Sequence, residues 1–218
     1  MISRKKIIFC LVLLVAVLSV LFIYLGMFNK QPITYIPKEV KINGVFLGKS
    51  KTIQDFQLTD HKGQRFSKNN LMGHWTMMFF GFTNCGFVCP TTMTELNKMY
   101  HTLKSELPKD KLPQIVLVTV DPERDSMSKM NDYINAFNAD FIGARAEPKE
   151  TEAFERQLHI MAVKIEADNK TKDQYMVNHS AEILLFNPKG EVQAYLSFPH
   201  KSDQLIKDYK AIVAAEIS

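Results

Sequence analysis

Cysteine is scarce in this chain, with three among 218 residues, at positions 10, 85 and 89. A fold stapled by disulfides would carry more, so a disulfide scaffold is excluded. An excess of charge of one sign is also lacking. Lys and Arg number 27 against 23 Asp and Glu, and three of the positives, Arg4, Lys5 and Lys6, sit at the extreme N-terminus. Beyond them 24 basic residues face 23 acidic ones, which leaves no basic field for nucleic acid. There is no internal repeat and no low-complexity tract. What the chain has in quantity is apolar side chains, 46% of the total, enough for one full domain plus an appendage.

The appendage is at the N-terminus. Residues 7–28 run for 22 positions without a charge, and a bilayer core takes ~20 apolar residues in helical form. Arg4, Lys5 and Lys6 on the near side predict that this end stays in the cytoplasm. A cleaved signal peptide would begin the same way, but Leu25-Gly26-Met27-Phe28-Asn29 offers no small-residue cleavage pattern. The expectation is a cytoplasmic segment 1–6, a transmembrane anchor 7–28, a linker 29–51 and an exported domain 52–218. The short segment before the anchor lacks the character of a transit peptide. That points to a bacterial inner membrane, with the domain in the periplasm. Cys10 falls inside the apolar run as a membrane residue, so the exported part keeps only Cys85 and Cys89.

Within that part, residues 56–59 alternate and lead through the turn Asp60-His61-Lys62-Gly63 to Arg65-Phe66, a hairpin pattern. Residues 75–82 and 115–120 are continuous apolar runs, as in strands buried on both faces. Between them Met93, Leu96, Tyr100, Leu103 and Leu107 follow helical spacing. Helices are expected at 126–137, where Met130, Tyr133, Ile134 and Phe137 form the buried face, and at 148–158 and 203–215. A short strand is expected at 160–165, and strands at 180–186 and 192–196 form a hairpin around Asn187-Pro188-Lys189-Gly190. Strands alternating with helices imply an α/β fold with a mixed sheet flanked by helices. The methionines, Met77, Met78, Met127 and Met130 among them, fit buried faces rather than a metal site. The loop Asp121-Pro122-Glu123-Arg124-Asp125 reads as a self-paired turn.

The chemistry concentrates at Thr83-Asn84-Cys85-Gly86-Phe87-Val88-Cys89-Pro90, which joins the first long strand to the first long helix. The helical stripe projected back from Met93 lands on Cys89, and Pro90 suits a first helical turn, where its missing N–H is no loss. Unpaired backbone N–H groups at a helix start stabilise thiolate anions. Such a pair has two uses, a redox-active disulfide or a grip on a soft metal. Three intervening residues, one more than in thioredoxins, widen the loop enough for a cation between the sulfurs. Two thiolates suit Cu(I) better than magnesium, calcium or manganese. A structural zinc site wants four protein ligands. Of six histidines, His61, His74, His101, His159 and His200 show no link to the cysteines. His179 opens the strand at 180–186 and is the candidate third ligand.

Taken in order, Asp55-Phe56-x-Leu58-Thr59-Asp60-x-x-Gly63, Phe80-Gly81-Phe82-Thr83-x-Cys85-x-x-x-Cys89-Pro90, Val120-Asp121-Pro122-Glu123-Arg124-Asp125 and Val177-x-His179-Ser180 resemble the Sco/SenC family. The resemblance implies a thioredoxin-like fold and a copper site made by Cys85, Cys89 and His179, for Cu(I) and Cu(II). It implies a role in assembling the copper centre of cytochrome c oxidase subunit II, or service to another copper acceptor, with a thioredoxin-like reductant to keep the cysteines reduced. Some members are credited instead with thiol–disulfide chemistry, which would make this a membrane-tethered oxidoreductase using the same pair. Gly86 and Phe87 stand where the family commonly has Pro and an acidic residue, and Asn178 where it has Asp. Those departures remove negative charge that would help hold Cu(II) and affect the acceptor expected to orient the imidazole.

Overall fold

The computed structural model describes Phe9, residues 13–22, Tyr24, 40–166 and 175–216. Two compact units divide the chain, Met1–Lys38 and Glu39–Ser218. In the first, the described residues are helical and their apolar side chains are exposed. The expected anchor at 7–28 lies partly outside the described residues. No helix among those described is long and apolar enough to cross a membrane.

The second unit begins its regular structure with β1 (Gly44–Lys51), followed by the hairpin β2 (Gln57–Asp60) and β3 (Arg65–Ser67). The expected linker is therefore corrected over its last eight residues. They form an edge strand antiparallel to β10 (Val192–Leu196), with a register shift between Phe46 and Lys51. Next come β4 (Thr76–Gly81), α1 (Val88–Glu106), β5 (Gln114–Thr119), α2 (Met127–Phe137), β6 (Ile142–Arg145) and α3 (Pro148–Leu158). A two-stranded arm, β7 (Ala162–Glu166) and β8 (Tyr175–His179), precedes β9 (Ile183–Phe186), β10 and α4 (Ser202–Glu216).

The eight-stranded sheet runs β1-β10-β9-β4-β5-β6-β2-β3. Strands β4, β5 and β6 are parallel neighbours and the other pairs antiparallel, giving the expected mixed sheet. Every residue of β4 is buried, as its unbroken apolar run requires. Alternate residues serve opposite faces. Phe79 meets His200, which bonds Thr92 of α1, whereas Phe80 on the other face meets Phe154 of α3. Each such side chain taken fully out of water contributes about 1.5–3 kcal/mol. Met77, Met78 and Met130 are fully buried, in keeping with a core role, whereas Met127 is half-buried and Met72, Met161 and Met176 are exposed.

Local signals account for the helix ends. Ser126 caps α2 by accepting from the Lys129 amide, and Pro148 occupies the first turn of α3. One assignment differs in a way that matters. His179 does not open a buried strand; it closes β8, whose partner is β7, with Ala162 opposite His179. Val177 and His179 share one side of β8, while Met176 and Asn178 face solvent on the other.

Candidate metal centre

The cysteine loop starts where β4 ends. Gly81 is the last strand residue, and a Cβ there would lie 3.0 Å from Cys89 Sγ and 2.9 Å from the Phe79 ring. Glycine at this position makes the space that the buried sulfur occupies. The chain then turns, with the Cys85 amide donating to the Phe82 carbonyl, and enters α1 at Val88. Cys89 is thus in the first helical turn, as its spacing from Met93 requires, and Cys85 lies in the preceding loop. The Cys89 amide donates to Cys85 Sγ at 3.4 Å, so an unpaired N–H of the helix start is aimed at that sulfur.

His179 arrives from 90 residues further along and places Nε2 3.6 Å from Cys89 Sγ. One ligand atom from each of Cys85, Cys89 and His179 falls within 4.8 Å of the others. The ring sits against two aromatic neighbours in edge-on contact, Phe82 at 5.6 Å and Phe79 at 6.1 Å between centroids. Its Nδ1 lies 2.7 Å from the Ser180 carbonyl oxygen. A carbonyl only accepts, so Nδ1 carries a proton, and in the neutral ring the lone pair is left on Nε2, on the side of the sulfurs. This is the tautomer a metal-ligating imidazole needs, and it tests the fit of the site to a cation. Two sulfurs and one free imidazole nitrogen form a donor set for a soft metal such as copper.

Electrostatics separate the two thiols. The hydrogen bond from the Cys89 thiol, followed by the His179 contact and the backbone amides of Cys89 and Phe87, lowers the Cys85 thiol from 9.0 to about 3. Cys89 moves the other way, raised by its bond to Cys85 and by burial. The metal-free pair is therefore one thiolate, half-buried at Cys85, and one buried thiol.

The loop and the arm are braced by residues whose roles the sequence did not disclose. Asp125, fully buried, accepts from the Thr83 amide at 3.0 Å, from the Thr83 hydroxyl, and from the Thr119 hydroxyl at 2.6 Å. Arg124 pairs with Asp121, which confirms a self-paired turn, but it also reaches out to Tyr175 on β8. The signal for this was topological: Gly81 and Thr119 are register partners, so the loops leaving parallel strands β4 and β5 must meet at one end of the sheet. The departures at 87 and 178 also take on structural meaning. Asn178 faces solvent, so it is not the acceptor that orients the imidazole; the Ser180 carbonyl is. Phe87 is 70% exposed beside the site.

The other histidines stay apart. His61 is buried and accepts from the Gly143 amide, and His200 is buried between Thr92 and the Leu196 carbonyl. Burial lowers the pKa of both.

Comparison with known proteins finds relatives over most of the domain. The family described as SCO1/SenC matches residues 46–214. The mitochondrial SCO2 homolog of Mus musculus is 34% identical over 162 residues, covering 74% of this chain and 62% of the mouse protein's length. Arabidopsis thaliana ScoI, solved with copper bound, superposes with a TM-score of 0.67 at 28% identity, covering 74% of this chain and 98% of that one. Yeast Sco1 with copper bound gives a TM-score of 0.67 at 25% identity, over 77% and 90% of the respective chains. With the family model matching most of its length, this chain belongs to the SCO1/SenC family.

Proposed function

We propose that this protein binds copper through Cys85, Cys89 and His179 and supplies it to the copper centre in subunit II of a cytochrome c oxidase, or to another copper acceptor. The observation that carries this reading is the convergence of three donor atoms within 4.8 Å, with the imidazole lone pair left on the sulfur side. Thiolates suit Cu(I), and imidazole extends the donor set towards Cu(II). The copper-bound relatives from Arabidopsis and yeast support the choice of metal. Half-exposed Cys85 gives an acceptor's ligands a way in. A Cys85–Cys89 disulfide would remove both sulfur donors. A thioredoxin-like reductant would restore them, its dithiol passing two electrons and two protons to the disulfide and becoming oxidised itself.

The uncharged run 7–28, with Arg4, Lys5 and Lys6 before it, supports an anchor in a bacterial inner membrane with the domain in the periplasm. A reporter enzyme active only after export, fused to the C-terminus, tests that orientation. An inactive fusion would reverse it.

The deciding experiment is a copper titration of the reduced protein beside Cys85→Ser, Cys89→Ser and His179→Ala. One copper per chain is expected, with tight binding lost in either cysteine variant and weakened in His179→Ala. Undiminished binding by His179→Ala would remove the imidazole from the ligand set. A protein that takes no copper but exchanges disulfides rapidly would replace this reading with a thiol–disulfide oxidoreductase.

A further inference from the structure

His179 is the only member of the donor set that does not come from the cysteine loop, and its arm is held from outside the arm. Tyr175, the first residue of β8, is the more buried of two points of attachment, the other being the surface ion pair between Lys164 of β7 and Glu123. The Arg124 guanidinium lies 3.7 Å from the centroid of the Tyr175 ring, and its Nη1 donates to the Tyr175 carbonyl at 2.9 Å. Its Nε donates to Asp121, and the Tyr175 hydroxyl donates to the other oxygen of the same carboxylate. Arg124, Asp121 and Tyr175 thus close a ring in which each member contacts both others. Asp121 is fully buried and the Arg124 side chain only 14% exposed, so this pairing escapes most of the solvent screening that weakens surface ion pairs.

Two routes lead from this ring to the donors. Along β8, the fixed end at Tyr175 sets the position of His179 four residues on. Through space, Arg124 lies 5.9 Å from the Phe82 ring, and Phe82 meets the imidazole edge-on. Meanwhile Asp125, the next residue after Arg124, holds Thr83 of the cysteine loop. One short loop therefore ties down both sides of the donor set.

We propose that Arg124 is a positioning residue for His179: by clamping Tyr175 to Asp121 it fixes the β8 arm where the imidazole meets the two sulfurs. This rests on the copper-binding function and assigns Arg124 no contact with the metal. The work needs guanidinium geometry, since one group must fork between a carboxylate and a carbonyl while lying flat on a ring. A lysine ammonium could still neutralise buried Asp121, so the fold is retained, but it could not fork or stack.

Arg124→Lys is therefore the informative variant. In the reduced full-length protein in detergent micelles, Arg124→Lys is expected to lower copper affinity by about tenfold, the lower end of what loss of a supporting partner costs a metal site. The loss should vanish in a His179→Ala background, because a residue acting only through the imidazole has nothing left to position. A purely structural defect would persist there. Independently of any metal, the Ser180 amide, which donates to the Met161 carbonyl at 2.8 Å, should exchange its hydrogen about tenfold faster in Arg124→Lys as the arm loosens. Copper affinity within about twofold of the parent, or an equal loss with and without His179, would overturn the proposal. If the parent takes no copper the copper-binding function fails, and the exchange measurement alone then decides: unchanged Ser180 protection overturns the clamp.

Discussion

Replacing Asp125 should destabilise the protein while leaving all three donors in place. Its carboxylate accepts three hydrogen bonds, two from Thr83 and one from Thr119, with no exposure to water. Asp125→Ala leaves those donors facing a small apolar side chain. Hydrogen bonds to charged groups contribute about 1.5–3 kcal/mol each, and their losses overlap within one network, so a total of about 3–5 kcal/mol is expected. Asp125→Asn is the internal control. Its oxygen can take the place of Oδ2, which serves the Thr83 amide and the Thr119 hydroxyl, while its NH2 donates to a rotated Thr83 hydroxyl. Only charge assistance is then lost, about 1–2 kcal/mol. Urea denaturation of the metal-free protein, followed by far-ultraviolet circular dichroism, gives both values. For a chain of this size 1 kcal/mol moves the thermal midpoint by about 2–4 °C, so Asp125→Ala should melt about 10 °C below the parent. An alanine variant within about 1 kcal/mol of the parent would refute the reasoning, as would an asparagine variant that costs as much as alanine.

Three further outcomes are expected from other parts of the structure. Gly81→Ala puts a methyl against Cys89 Sγ and the Phe79 ring, so overpacking of about 1–3 kcal/mol and a drop in copper affinity are expected; stability and affinity both equal to the parent would contradict the pocket described. The Cys85 thiol, held at about 3, should give the metal-free protein thiolate absorbance at about pH 6 that disappears in Cys85→Ser. In Cys89→Ala the absorbance should titrate at a higher pH, because the Cys89 thiol is the largest cause of the lowering; an unchanged titration would contradict that cause. Burial raises the Glu155 carboxyl from 4.5 to about 7, and its Oε1 has no hydrogen-bond partner among the described residues. Between those values the unfolded chain ionises while the folded chain keeps its proton, so stability falls as pH rises. Glu155→Gln should therefore gain thermal stability over the parent from about pH 5 to pH 8, and a difference that stays constant with pH would exclude the carboxyl as its source.

How much was legible in the sequence depended on whether an element's partners were close in the chain. The buried strand β4, the helix after it and the placing of Cys89 in its first turn follow from apolar runs, spacing and Pro90, all local. Strand β1 was hidden because its residues are half-exposed and its partner β10 is remote in sequence. β6 was hidden for another reason. It has four residues, and its Gly143 lacks a side chain because Ile134 and Met130 of α2 occupy that space, so no apolar run announces it. His179 was placed at the wrong end of its strand, since the pairing of β8 with β7 is tertiary and the apolar signal of β9 outweighed it. The braces, Asp125 to Thr83 and Arg124 to Tyr175, join residues 42 and 51 positions apart. In sequence they look like a turn that satisfies itself, and only the parallel pairing of β4 and β5 brings them to the site.

The bond from His179 Nδ1 to the carbonyl of the very next residue has a consequence for release of a bound ion. The hydrogen bond that fixes its ring proton comes from its own stretch of backbone, whereas the Phe79 and Phe82 rings against it belong to the body of the domain. Were the β7–β8 arm to swing like a lever, the nitrogen would leave the sulfurs with its ring proton still on Nδ1. Hand-over could then proceed by unlatching one donor at a time, and the returning imidazole would need no resetting before it closed on the next ion.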